Sequence, residues 1–417
     1  MKILVANLGS TSFKYSLFDM NGEKLLARGK VERIGEAESP CTAEVNGVKL
    51  EETVCVPDHS VAVRECLAQL TKKDFGPIRD ASEVAAIGFK AVHAAGISGV
   101  QRVNAQLIDA MEEFNDLLPA HNPPYVAAMR ILAENLPDIP LAAAFETDFH
   151  QTIPDRNRYY GVPFDWAEKY GIRRFGFHGA SHRYIAARSA ELGGKKVISM
   201  HLGGSSSLCA VKEGKSMAVS MGTTPQTGLL QNNRVGDFDP FVIPYLMRKS
   251  GKTQTEILAM LSKQSGLLGL SGVGSDLRDI AEVAEKDADP VKRKRAKLAL
   301  DVFVGDIRRY LGAYLVELGG ADMLVFTAGI GENNPWLRRA VCADLSAFGI
   351  VLDDQKNAAA IAGRETAIHA AESRTQIWVI PTNEEIIVAR QTLDMLIQSG
   401  LTSRNSCRTC CTNGSAK

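Results

Sequence analysis

Two stretches far apart in the chain carry the same layout, and the rest has to fold around them. Ile3 to Asp19 reads ILVANLGSTSFKYSLFD. An apolar β-branched run, Ile3 to Ala6, leads into a small polar turn, Asn7 to Ser12, and Phe13 to Phe18 then alternates. That is strand, Gly/Ser turn, strand. Val197 to Leu202 leads in the same way into Gly203 to Ser207, and Leu208 to Val211 follows. In each copy a strand delivers a polar residue and then Leu-Gly: Asn7-Leu8-Gly9 and His201-Leu202-Gly203. Such turns expose backbone N–H groups and hydroxyls that suit phosphate oxygens. Lys14 adds a point charge beside the first. Two such hairpins suggest two similar domains facing one another, with a nucleotide in the cleft between them.

Other regular elements alternate along the chain. Strands are expected over Val84 to His93, Leu141 to Phe145, near Met217, over Met323 to Thr327 and over Gln376 to Ile380. Helices are expected over Ser60 to Leu70, Asn104 to Asn115, from an Asn122 cap to Asn135, to about Leu192, over Pro290 to Leu318, and from Glu385 to about Gln398. Arg156 to Trp166, Gly222 to Asp239, Ser265 to Arg278 and Ala328 to Asn333 read as connections, with Asn334 capping the helix after the last. Alternation of this kind means an α/β fold, and 417 residues allow two full cores.

Several classes are excluded. Lys+Arg and Asp+Glu both number 48, which argues against a protein built to coat nucleic acid or anionic membrane. The basic run Lys292 to Lys297 falls in a helix and reads as a solvated face. No apolar run is long enough for a membrane span, and the start has no signal-peptide layout. Cys41, Cys55, Cys66, Cys209 and Cys342 read as reduced core residues of a cytosolic protein; Cys407, Cys410 and Cys411 sit in a tail expected to be disordered. Gly251-Lys252-Thr253 lacks the upstream glycine of a P-loop, and no nucleophile elbow or zinc spacing occurs. What remains is a cleft enzyme acting on phosphates, with Mg²⁺.

The motifs together resemble the acetate kinase family, of the actin/sugar-kinase/Hsp70 superfamily. The resemblance covers Met1 to about Ser399. It rests on NLGSTSFKY at Asn7, HNP at His121, FHQTIP at Phe149, RRFGFHGASH at Arg173, HLGG at His201, SGLLGLSGVGSDLRDI at Ser265, FTAGIGEN at Phe326 and PTNEE at Pro381. It implies duplicated actin-like (ribonuclease H-like) ATPase domains, residues 1–151 with 383–400 and residues 152–382, and a homodimer. It implies reversible in-line transfer of phosphate from Mg-ATP to a short-chain carboxylate, giving an acyl phosphate and ADP, with no phospho-enzyme. Asn7 and Glu384 would help hold Mg²⁺. Ser10, Ser12, Lys14 and His201, Leu202, Gly203, Gly204 and Ser205 would cradle phosphates. Asp276, Leu277, Arg278 and Gly329, Ile330, Gly331, Glu332, Asn333 would hold the nucleoside. His178 and Arg234 would meet the γ-phosphoryl as charge develops. Val92, Ala120, His121, Phe177 and Pro225, with Lys90, would line the acid pocket.

The chain departs from the family pattern near its chemistry. Lys90 stands where the family has Arg, Glu146 where it has Asp, and Asp148 where it has Ala. The family's His-Leu-Gly-Asn-Gly is His201-Leu202-Gly203-Gly204-Ser205, which removes one amide side chain. The loop before Arg234 reads Gln231-Asn232-Asn233 in place of the usual Gly-Thr before the Arg. Lys90 and Glu146 keep the charge signs, although Lys gives a point charge where Arg gives a fork. Ala120 in place of Leu would widen the pocket toward propionate, with about 1–3 kcal/mol of discrimination per methylene. The alternative is a weakened member that binds ATP as a sensor or partner.

Overall fold

The computed structural model describes residues 1–402 except positions 10, 95, 116, 118–121 and 362. Ser10, Ala120, His121 and the three tail cysteines therefore lie outside the described residues. The chain divides into two compact units, Met1–Asp148 with Asn383 onward, and Phe149–Thr382.

The first unit is built on eight strands: β1 (Lys2–Leu8), β2 (Ser12–Asp19), β3 (Lys24–Glu32), β4 (Ser39–Val45), β5 (Val48–Val54), β6 (Val84–Ala91), β7 (Val100–Arg102) and β8 (Leu141–Phe145). They lie in the order β5-β4-β3-β2-β1-β6-β8-β7. β1 and β2 form the expected hairpin, with Asn7 opposite Lys14 and Leu8 opposite Phe13. β6 and β8 add in parallel. β8 (LAAAF) is buried at every position, between parallel β6 and antiparallel β7.

Helix Glu384–Gln398 packs on this sheet, burying Ile386, Ile387, Val388, Leu393, Met395 and Leu396. Asn383 Oδ1 accepts from Ile386 N at 3.0 Å and sets where the helix begins. The approach is close: a Cβ on Gly88 of β6 would fall 2.1 Å from Thr392 Oγ1. Glycine at 88 lets the helix lie near enough for its first turn to reach β6 and β2.

The second unit repeats the scheme with β9 (Lys196–Leu202), β10 (Ser206–Lys212), β11 (Lys215–Val219), β12 (Met323–Thr327), β13 (Thr366–Ala367) and β14 (Gln376–Val379). The order is β11-β10-β9-β12-β14-β13. β9 pairs antiparallel with β10 and parallel with β12, and β14 follows in parallel. β3-β2-β1-β6-β8 and β11-β10-β9-β12-β14 therefore share one pattern. Helix Pro290–Leu318 is capped by Asp289 and closed by left-handed Gly319. Its apolar stripe, including Phe303, Ile307 and Leu311, lies in this unit's core. Lys292, Lys294, Arg295 and Lys297 are exposed on its outer side.

Several local expectations need correction. Ala328–Asn333 is a short helix, entered through Ala328 at φ 64°. Glycine content suggested a loop, but Arg338 satisfies carbonyls at that helix's end. Asn334 makes no side-chain cap to the next helix; its Nδ2 donates back to Ile330 O at 2.8 Å. Asn122 also fails to cap. It lies inside helix Asn122–Asn135, and its Nδ2 donates to His93 O and Met111 O. Ser265 to Arg278 contains helix Gly266–Ser271, and Arg156 to Trp166 overlaps helices Asp155–Arg158 and Phe164–Tyr170. Cys41, Cys66, Cys209 and Cys342 are buried and free, whereas Cys55 is exposed beyond β5.

Candidate active site

In the first unit a cation sits between two acids. β6 carries Lys90, and β8 runs directly into Glu146, whose N donates to Ala91 O at 2.9 Å. Lys90 Nζ lies 3.2 Å from Glu146 Oε1 and also pairs with Glu384, at the start of the closing helix. Burial alone would lower the Lys90 pKa, but Glu146 and Glu384 outweigh it and push it up. Glu146 is only 5% exposed, so this is not a surface pair. Tyr125, which drew no attention in the sequence, donates to Asn7 Oδ1 at 2.9 Å; burial pushes its own pKa up to about 12. Val92 packs half-buried against the core beyond β6.

The β1–β2 turn is closed by Gly9 N donating to Ser12 O at 2.8 Å. His59 Nε2 lies 2.8 Å from Gly9 O, a tether across fifty residues with no local sequence signal. Lys14 is exposed on β2. One strand turn along, Ser16 Oγ donates to Glu385 Oε2 at 2.6 Å, so both glutamates of the closing helix are engaged by this sheet.

In the second unit the site is a cluster of imidazoles and hydroxyls. His178 stands at φ 57°, ψ 29°, just before helix Gly179–Glu191. A left-handed conformation is strained for a non-glycine residue, and here it places the ring over the end of β9. His178 and His201 stack with centroids 4.1 Å apart. Each has a serine on Nδ1: Ser207 Oγ at 2.8 Å from His178, Ser181 Oγ at 2.8 Å from His201. Ser207 Oγ also lies 2.8 Å from His182 Nε2, and His182 Nδ1 is 2.9 Å from Ser199 Oγ. Burial holds the His182 pKa far below its usual value, reinforced by His150 and His201, so the ring is neutral. Pairing of Ser207 with His201 across β9 and β10 explains the convergence. The sequence signal for Ser207 was its place in the second Gly/Ser turn; His182 sat unremarked within the RRFGFHGASH motif.

Beside these rings the β9–β10 turn runs through Gly203, Gly204 and Ser205. Ser205 Oγ donates to Gln231 Oε1 at 2.7 Å, and Arg234 Nη1 lies 3.3 Å from Ser205 Oγ and from Pro225 O. Burial lowers the Arg234 pKa from its usual value, although a guanidinium stays charged. Phe177 is buried, and its carbonyl accepts from His150 Nε2 at 3.0 Å.

The nucleoside-type motifs lie on the same unit. Asp276 caps its helix through Arg278 N and pairs with the Arg278 guanidinium at 2.6 Å, which lowers its pKa to about 2. Leu277 is buried. A Cβ on Gly331 would fall 3.6 Å from Leu202 Cβ, which places helix Ala328–Asn333 against the end of β9. Asn333 Nδ2 donates to Gly329 O at 2.7 Å, Ile330 packs on the core, and burial raises the Glu332 pKa. Arg338, which the sequence did not single out, is wholly buried. Its Nη1 donates to Gly331 O and Glu332 O, and Nε and Nη2 donate to Asn357 Oδ1 and O.

Comparison with known proteins gives a consistent result. The model of the Acetokinase family matches residues 2–390. An acetate kinase from Carboxydothermus hydrogenoformans is 43% identical over 404 residues, covering 95% of this chain and 100% of the relative. One from Bacillus subtilis is 42% identical, covering 93% and 98%. The crystal structure of Porphyromonas gingivalis acetate kinase superposes with a TM-score of 0.85 at 38% identity, covering 95% of this chain and 99% of the other. A propionate kinase from Francisella tularensis gives 0.83 at 33%, covering 94% and 98%.

Proposed function

The chain belongs to the acetokinase family and is an ATP-dependent carboxylate kinase of the acetate kinase type, with the actin-like fold of its structural relatives. We propose that it transfers the γ-phosphoryl group of Mg-ATP to acetate or propionate in line, giving the acyl phosphate and ADP. The observation that carries the assignment of roles is the stacked His178–His201 pair, each ring backed by a serine, beside the Gly203–Ser205 turn and Arg234.

The reaction needs no general base. The acid is already ionised near neutral pH, so a carboxylate oxygen attacks phosphorus while the bond to the ADP oxygen breaks. Charge balances without a proton. The chain's task is therefore positioning and neutralisation. Lys90 offers a cation to the incoming carboxylate, and Glu146 holds that cation in place. His178 and Arg234 donate to the phosphoryl oxygens as they gain charge. Ser12, Lys14 and the β9–β10 turn hold the other phosphates, and Gly329 to Asn333 with Asp276 to Arg278 hold the nucleoside.

Magnesium fits the donors present. Asn7 Oδ1 keeps a second lone pair beyond its Tyr125 bond, and Glu384 offers a carboxylate. Both are hard oxygen ligands, with water and phosphate left to complete the shell. Asn7 and Glu384 would hold the ion, which would supply charge neutralisation to the phosphates. Among the described residues no helix is long and apolar enough to cross a membrane, and the balanced net charge favours no nucleic-acid partner. A cytoplasmic homodimer completes the proposal, on family resemblance.

An acyl-hydroxamate assay with Mg-ATP and a panel of acids tests it. One preferred short acid, with the signal lost in Arg234→Ala, supports the reading. Silence across the panel, with ATP binding intact by calorimetry, overturns it in favour of an ATP-binding sensor.

A further inference from the structure

Two loops of the second unit meet at Gly204. Asn232 N donates to Gly204 O at 3.2 Å, and Asn232 O accepts from Leu268 N at 2.9 Å. The backbone at 232 is thus pinned on both sides. Its side chain lies over the β9–β10 turn. A Cβ built on Gly204 would stand 3.5 Å from Asn232 Nδ2 and 3.9 Å from Asn232 Cγ, ordinary contact distances. The carboxamide of Asn232 therefore occupies the space into which a side chain at 204 would extend.

That carboxamide is incompletely satisfied. Asn232 Oδ1 is buried without a hydrogen-bond partner among the described residues. Phosphate oxygens only accept, so it is the Nδ2 end, 3.5 Å from a Cβ built on Gly204, that can meet one. The neighbours fit a phosphate: Ser205 Oγ on the turn, and the Arg234 guanidinium 3.3 Å from it.

The sequence carries an independent signal. By the family resemblance, position 204 would carry Asn and position 232 Gly; this chain has Gly204 and Asn232. The two residue types have changed places at two positions in contact. Loss of an amide on one loop coincides with gain of one on the loop that touches it.

We propose that Asn232 supplies the phosphate-binding amide that position 204 lacks, donating through Nδ2 to a phosphate oxygen of the bound nucleotide. The assignment rests on the kinase reading above and adds a binding residue to it. Gly204 lies outside the left-handed region, so an asparagine can be restored there without backbone strain.

The experiment is a cycle of Asn232→Ala, Gly204→Asn and the double variant, read by calorimetric Mg-ADP binding, transfer kinetics and thermal unfolding. Asn232→Ala should weaken Mg-ADP about tenfold, the equivalent of one charge-assisted hydrogen bond. Gly204→Asn should restore most of that loss in the double variant. Asn232→Asp keeps the shape but repels phosphate, and should bind more weakly than the alanine variant while unfolding at an unchanged temperature. Unchanged affinity in Asn232→Ala, or no rescue by Gly204→Asn in a folded double variant, would overturn the proposal while the kinase reading stands. Wild-type protein that binds no Mg-ADP would overturn both.

Discussion

The hydroxyl of Ser207 lies 2.8 Å from Nδ1 of His178, and this contact governs which ring nitrogen carries a proton. Ser207 has one proton to give and also stands 2.8 Å from Nε2 of neutral His182. Two relays fit these contacts: Ser199 to His182 to Ser207 to His178, which leaves the His178 proton on Nε2, or the reverse, which leaves it on Nδ1. The proposed donation from His178 to a phosphoryl oxygen requires the first.

Ser207→Ala breaks that chain without emptying the site. The expected outcome is a fall in kcat of about 10- to 100-fold with little change in nucleotide KM. Ser207→Thr should recover part of it. Nitrogen NMR of the labelled imidazoles checks the cause: the Nε2–H form of His178 should lose its dominance in the alanine variant.

Lys90 stands between Glu146 and Glu384. Lys90→Met leaves two carboxylates facing each other and removes the cation proposed to meet the acid. Acid kcat/KM should fall at least about a hundredfold, and stability by about 1–3 kcal/mol, since removing one partner of a largely buried pair is costly. Lys90→Arg keeps the charge and should preserve or raise acetate turnover. Hydroxamate kinetics and denaturant unfolding measure the two effects.

Arg338 holds the carbonyls of Gly331 and Glu332 against Asn357. Lysine cannot reproduce that fork. Arg338→Lys should raise the KM for ATP roughly fivefold while the KM for the acid stays within about twofold, because the loosened helix carries residues proposed to hold the nucleoside. Equal rises in both constants would refute the positioning role.

The buried histidines set a pH window for stability. Burial lowers the His150 pKa from 6.5 to about 4, and His182 shifts in the same direction. Both are neutral when folded, so the unfolded chain binds more protons between these values. Their contribution is whole above about 6.5 and is lost as pH falls toward 4. Denaturant midpoints should decline across that range, with a shallower slope in His150→Gln. Asp276, held near 2, titrates below the window and does not mask it.

Much of the fold was legible before any coordinates. The strands Leu141–Phe145 and Met323–Thr327 and the helix Pro290–Leu318 form at the spans that their apolar patterns implied. The departures fall where glycine and asparagine, by local rules, act as breakers or caps. Ala328–Asn333 is helical because Arg338, from the following helix, satisfies its last carbonyls. Asn122 turns its amide inward because two carbonyls from other segments need a donor.

The sequence by itself determined the two Gly/Ser hairpins, the α/β alternation and the family, since turn chemistry and hydrophobic period are local properties of neighbouring residues. Only the tertiary structure decided that Lys90 meets a glutamate 294 positions away, that Ser207 lies between His178 and His182, and that Asn232 covers Gly204. Those contacts depend on how strands register and how closely a helix or loop approaches them. A single glycine, such as Gly88 beneath Thr392, sets that approach, and no local pattern encodes the partner it admits.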